Sequence, residues 1–269
     1  MISKKSAKNY IYYNGLLLFL SILQYNTVQI TDDFLFDICK IYFVFLFRNY
    51  LLMFIINHSI KDKKRICEDK LIENYPNEFN FNVVRSTFIE MATYYSIVKY
   101  MSDSFYIQIR VANAIYFIPF TFYYECVFDF FHYWSHRYTH TNKYLYRKIH
   151  KHHHTYNHPI PIITFYQDPL DLIITNTIPT VFTLLLCPQM SLFEFNVIQM
   201  YKSYIEICGH CGRELFPTSS FCQFIWLPRY FGMELYAEDH DIHHSHNNCN
   251  YSKRFALWDK VFGTYRRGT

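Results

Sequence analysis

Apolar positions along this chain come in long runs rather than in short alternations. The first two are 10-YIYYNGLLLFLSILQY-25 and 34-FLFDICKIYFVFLFRNYLLMFIIN-57. Each is close to the roughly 20 residues that a bilayer's hydrocarbon core demands of a helix. Asp37, Lys40 and Arg48 interrupt the second run, so it must tilt, snorkel or face protein. Residues 66–84 read as a polar connector. The next stretch, 86-STFIEMATYYSIVKYM-101, is ambiguous because Glu90 and Lys99 are costly at membrane depth. A stronger segment follows, 105-FYIQIRVANAIYFIPFTFYYECVF-128, in which Pro119 predicts a kink. Then 170-LDLIITNTIPTVFTLLLC-187 and the run 191–208, joined by Pro188-Gln189, read as a helical hairpin. Residues 209–269 are too polar and broken to span.

These periodicities predict an all-α protein: integral-membrane helical hairpins carrying a cytosolic helical cap. Residues 1–128 would form the N-terminal hairpins and connector. Residues 129–269 would form a second region with its own internal membrane hairpin at about 170–208. A hairpin returns the chain to the side it left, so 129–169 and 209–269 should share one face of the membrane. Charge placement sets the orientation. Lys4, Lys5 and Lys8 precede the first run, Asp32 and Asp33 sit in the first link, and 61-KDKKR-65 follows the second run. Basic ends and an acidic turn place both ends of that hairpin in the cytoplasm; the histidine-bearing face is then cytoplasmic if 86–128 adds a hairpin or one re-entrant segment, and lumenal if 86–128 crosses once. The net charge of +4 carries no aromatic-interleaved basic groove, so a nucleic-acid partner is not expected.

Composition agrees. Aromatic residues make up 21% of the chain, and charged residues, at 18%, fall below the roughly 25% of an ordinary soluble domain. The eight cysteines are scattered, several inside apolar runs, which is not a secreted disulfide framework. Cys208-Gly-His-Cys211 has the spacing of a redox pair, but it follows a helical run instead of opening one. The formal glycosylation sequons at Asn57 and Asn250 would face the cytoplasm and remain unmodified.

The candidate chemistry lies in the histidines. Eight of the fourteen fall between residues 129 and 159, and 240-HDIHHSH-246 adds a second cluster. His132 and His136 stand one helical turn apart. His150, His153 and His154 share the spacing H-x-x-H-H, which His240, His243 and His244 repeat. With His210 these make nine imidazoles, too many for one metal ion and enough for two. Neutral imidazole is the commonest protein ligand for zinc, copper, iron or nickel. His140 and His158 extend the same stripes and are secondary candidates. Asp129, Asp168, Glu238, Asp239 and Asp241 lie near enough in sequence to hydrogen-bond the second ring nitrogen of a ligand. A zinc-binding membrane carrier would instead need ligands inside the membrane runs, which hold no histidine cluster.

On these residues the sequence resembles the fatty acid hydroxylase/sterol desaturase superfamily of membrane oxygenases. The resemblance covers roughly residues 120–267 and rests on 132-HYWSH-136, 150-HKHHH-154, 209-GHCGRELFP-217 and 240-HDIHH-244. The ending 243-HHSHNNCNYSKRFALWDKVFGTYR-266 is similar to the sterol-modifying branch, with its cholesterol 25-hydroxylases and C4-methylsterol oxidases. Asp168-Pro169 stands where a His-Pro pair is usual, and His210-Cys211-Gly212 where His-Ser-Gly is usual. The resemblance implies a di-iron centre with dioxygen as co-substrate, hydroxylating or desaturating a lipid. A sterol is favoured, with a fatty acyl or sphingoid chain as the runner-up. It further implies residence in the endoplasmic reticulum and electrons from cytochrome b5 or an NAD(P)H-dependent reductase.

Overall fold

A computed structural model of the protein describes residues 4–67, 77–101, 105–106, 111–215 and 226–267. The predicted connector at 66–84 falls partly outside them. Four long helices come first: α1 (Lys4–Thr27), α2 (Phe34–Ile60), α3 (Asn77–Tyr100) and α4 (Val111–Thr141). α2 starts where Asp33 caps it by accepting from the Phe36 N–H. α4 runs through Pro119 and onward past the apolar run into the first histidine pair. Next come a short helix α5 (Lys143–Leu145), a π-helical turn (Tyr146–His150) and two 3-10 turns (His153–Thr155 and Pro161–Phe165). The predicted hairpin is α6 (Pro169–Leu172), a π-helical turn (Ile173–Thr177), α7 (Ile178–Leu186) and α8 (Leu192–Gly209). Short helices α9 (Trp226–Tyr230), α10 (Ala237–His246) and α11 (Leu257–Val261) complete the chain. One two-residue parallel pairing, Phe105 with Met190 and Tyr106 with Ser191, ties the approach to α4 to the start of α8.

The bundle is built around α8. Ser191 and Glu194 close a capping box at its N-terminus, which satisfies two otherwise unpaired donors. Nearly every side chain of α8 is buried, so it is the central post of the bundle and not a lipid-facing rod. Its polar residues are hydrogen-bonded to the helices around it. Asn196 accepts from Gln24 of α1 at 2.9 Å and donates to the Tyr94 hydroxyl of α3 at 2.9 Å, and Tyr201 donates to Asn14 at 2.6 Å.

α2 shows an inverted distribution. Leu35, Phe47 and Phe54 are 72%, 68% and 69% exposed, while Asp37 and Asn49 are 0% exposed. Arg48 donates to Glu90 of α3 at 2.8 Å, and Asn49 donates to both Glu90 and Thr87. The charges that interrupt the second apolar run are therefore paired: Arg48 with the Glu90 that made the third run ambiguous, and Lys40 with Asp37 at 2.9 Å. Among the described residues, α2 and the segment Pro169–Leu186 are long and apolar enough to cross a membrane. The runs 10–25, 105–128 and 191–208 are helical over 10–25, 111–128 and 192–208 but fall short of that measure.

Candidate metal centre

Five pieces of chain deliver the histidines. α4 carries His132, His136 and His140 on successive turns of its last stretch. The π-helical turn ends on His150, and the following 3-10 turn holds His153 and His154. His210 caps the C-terminus of α8 with a non-helical backbone, φ −95° and ψ 20°. α10 carries His240, His243 and His244. The second box is thus not one regular helix. His154 leaves helical geometry at φ −86°, ψ 15°, where the turn ends.

Two groups form, each with ligand atoms within 4.8 Å of one another: His136, His140, His150, His154 and His243, and His153, His210, His240 and His244. Both later boxes divide between them. His150 and His154 go to the first group and His153 to the second; His243 goes to the first, His240 and His244 to the second. The groups are adjacent, with the His154 and His244 rings 4.6 Å apart.

Outer partners determine the tautomers. His136 Nδ1–H donates to Tyr251 O at 2.8 Å, His210 to Glu206 O at 2.7 Å, His243 to Cys249 O at 2.7 Å and His153 to Tyr166 O at 3.3 Å. His150 Nδ1–H lies 2.9 Å from both oxygens of buried Asp171. Since carbonyls and carboxylates only accept, each of these rings presents Nδ1–H to its outer partner and turns Nε2 inward. The Nε2 atoms then face each other. His136 and His150 Nε2 are 3.2 Å apart, and so are His153 and His210. His140 and His154 Nε2 lie 2.8 and 3.0 Å from His150, and His240 lies 3.0 Å from His210. Adjacent nitrogens on one ion at bonds of about 2.1 Å lie roughly 3.0–3.4 Å apart.

Protons do not relieve this crowding. Burial lowers the basicity of His136, His153, His154 and His244, and neighbouring imidazoles lower it further. The same causes bring His243 down to about 3; burial chiefly brings His210 to about 4. Lone pairs that approach this closely in a buried, proton-poor site suit a cation. His243 Nε2 and both ring nitrogens of His244 have no hydrogen-bond partner among the described residues, and such buried polar atoms otherwise go unsatisfied at a cost.

The remaining candidates have other surroundings. His132 belongs to neither group; its Nδ1–H donates to Thr175 O at 2.6 Å, and the residue borders a cavity of about 380 Å³ beside both groups. His158 is 43% exposed and bonds Asp241 at 2.8 Å. Asp239 accepts from the Tyr236 N–H at the start of α10, and Asp168 caps α6. Asp129 receives the N–H groups of Lys253, Arg254 and Phe255, so it holds a loop instead of an imidazole. Trp258 donates to Cys126 O and packs with Phe262 against α4, which gives these rings a packing role. Cys208 and Cys211 form no disulfide among the described residues and are buried at the end of α8, and burial pushes the Cys211 thiol up to about 12. Asn250 is buried, with its amide bonded to Asp239 O, Arg266 O and Arg266 N–H, leaving no amide open to a glycan.

Beyond His140, which spacing offered only as a secondary candidate, two features were outside its reach. Asp171 lies within an apolar run, twenty-one residues from its His150. His140 stands as close to its neighbours as any box histidine. Lys253 and Glu206, paired at 3.2 Å, border the histidine cavity.

Residues 121–264 match the fatty acid hydroxylase family profile, more than half of the chain, and the chain belongs to that family. It is 36% identical over 149 residues to the fatty acid hydroxylase vlmA of Lecanicillium sp, covering 52% of this chain and 40% of that protein. It is 32% identical to methylsterol monooxygenase 1 of Rattus norvegicus (51% of this chain, 43% of that protein). It is 29% identical to sphinganine C4-monooxygenase 1 of Arabidopsis thaliana (52% and 51%). The chain spans 40% to 51% of the length of these curated relatives. No solved structure matches it significantly.

Proposed function

We propose that this protein is a membrane-bound, dioxygen-dependent lipid hydroxylase holding two iron ions in its histidine groups. The observation that carries the reading is the pair of facing Nε2 sets, His136 against His150 and His153 against His210, each 3.2 Å apart. His136, His140, His150, His154 and His243 would hold one ion. His153, His210, His240 and His244 would hold the other, with His132 available from the shared cavity. When bound, iron in such a site supplies activation of dioxygen and attack on an unactivated C–H bond. The chain supplies the rest. Tyr251 O, Glu206 O, Cys249 O and Asp171 orient the rings, and the enclosing helices keep water scarce. Lys253 and Glu206 are placed to hold a proton beside the histidine cavity.

The exposed aromatic face of α2 and the buried charges behind it support a membrane setting, with the histidine groups on the cytoplasmic side of the endoplasmic reticulum. A sterol is the first substrate to test, on the strength of the C-terminal motif. A fatty acyl or sphingoid chain is the second, favoured by the identity with vlmA. Electrons would come from cytochrome b5 or an NAD(P)H-dependent reductase.

The test is metal content of detergent-purified protein beside the double variant His153→Ala/His243→Ala, followed by oxidation assays with each lipid class. Two irons per chain in the wild type, lost in the variant, is the expected result. A wild type that takes up no stoichiometric metal under anaerobic iron loading overturns the reading.

A further inference from the structure

We propose that a cleft between α2, α3, α7 and α8 binds the uncharged, hydroxyl- or amide-bearing end of the substrate lipid, so that the oxidised carbon lies near that polar end. The inference rests on the lipid-oxygenase reading and adds the recognition site.

The cleft is lined by α2, α3, α8 and the segment from Leu172 to Thr180. Its floor is also a wall of the histidine cavity. Leu172, Asn176 and Lys202 line the cleft, while Asp171, Thr175 and Glu206, one residue or one helical turn away, line the cavity. Asn176 accepts from Lys253 Nζ at 3.0 Å, and Lys253 borders the cavity from the other side. The partition between a lipid in the cleft and the histidines is therefore one side-chain layer.

The lining indicates the chemistry of the occupant. Phe45, Ile89, Ile97 and Phe195 give it apolar walls. Its charges are already matched: Arg48 with Glu90 at 2.8 Å, and Lys202 with Glu206 at 3.6 Å. A carboxylate, phosphate or ammonium on the ligand would have to displace one of these pairs. The Gln199 amide, by contrast, lines the cleft and has no hydrogen-bond partner among the described residues, so it offers one acceptor and two donors. Thr93 and Thr177, whose hydroxyls meet at 2.9 Å, add exchangeable partners on the facing wall. An apolar slot with a free amide suits a neutral lipid hydroxyl or amide. A sterol and an N-acylated sphingoid base share that chemistry.

The wall residues from α2 and α3 precede residue 121, where the family match begins. The shared region thus provides the floor and Gln199, and the unshared helices shape the slot.

The experiment uses full-length, iron-loaded protein in detergent. Binding of radiolabelled cholesterol, of N-palmitoyl sphinganine and of 5α-cholestane, which lacks the hydroxyl, is measured by equilibrium dialysis, with iron content read on the same samples. The wild type should bind one or both hydroxylated lipids at least tenfold more tightly than cholestane, and which of them it prefers identifies the source. Gln199→Leu should erase about tenfold of that preference while leaving cholestane binding unchanged, and Thr93→Val should act in the same direction. Gln199→Trp, which fills the slot, should abolish binding of all three with iron retained. Equal binding of cholestane and the hydroxylated lipids by wild type, or unchanged binding by Gln199→Trp, overturns the proposal. Two irons without lipid binding would remove the cleft and spare the oxygenase; lipid binding without iron would do the reverse.

Discussion

Asp171 shows how much one side chain can decide. Both of its oxygens lie 2.9 Å from His150 Nδ1, whereas His136, His153, His210 and His243 are held by neutral backbone carbonyls. A buried carboxylate on one imidazole increases that ring's donor strength, so the two metal groups are electronically unequal. Asp171→Asn should lower affinity in the five-histidine group by about 10- to 100-fold and spare the four-histidine group. Cobalt(II) titration followed by absorbance would show this as one of two binding steps weakening. Gly212 is a second single-residue constraint. At φ +62°, its position leaves a Cβ 2.6 Å from Pro159 O, so Gly212→Ala should destabilise the fold by about 1–3 kcal/mol in thermal unfolding.

Among the elements, the 251–255 loop matters most for its size. It has no regular structure, yet its Tyr251 carbonyl orients His136 and its Lys253 borders the histidine cavity. Two buried carboxylates hold it in place. Asp129 accepts from Lys253, Arg254 and Phe255 N–H, and Asp259 accepts from Tyr251 and Ser252 N–H. Asp129→Asn would set an NH2 group against backbone N–H donors, with an expected loss of about 2 kcal/mol and faster amide exchange at Lys253, Arg254 and Phe255. If exchange there stays slow, the loop is held by something else.

For the whole molecule, the buried histidines set a limit on acid tolerance. Without metal, His210 and His243 titrate near 4 and 3, against about 6.5 in the unfolded chain. Below pH 6.5 the unfolded state takes up protons that the folded state refuses, so stability is intact above that pH and falls as pH drops toward the native values. At pH 5 each such group removes about 2 kcal/mol. The metal-free protein should therefore show a melting temperature that declines steadily below pH 6.5, and a flat profile between pH 7 and 5 would contradict the buried, neutral arrangement.

Periodicity and spacing carried most of the local information. An apolar run of bilayer length must be helical, because its backbone can satisfy its hydrogen bonds internally, and α1, α2, α4 and the hairpin of α6, α7 and α8 follow from that. Imidazole spacing identified a set large enough for two ions, since residues three or four apart on a helix share a face. What spacing could not provide was the division of that set. His153 and His154 are neighbours in sequence yet serve different groups, as do His243 and His244, because consecutive residues on a helical turn point about 100° apart and which group each meets depends on how the elements pack. Nor could it foresee Asp171 on His150, or the pairing of Arg48 with Glu90 across two helices, since both contacts join residues distant in sequence. Local chemistry is written in the order of residues, whereas which groups share a buried volume depends on how the helices pack around α8.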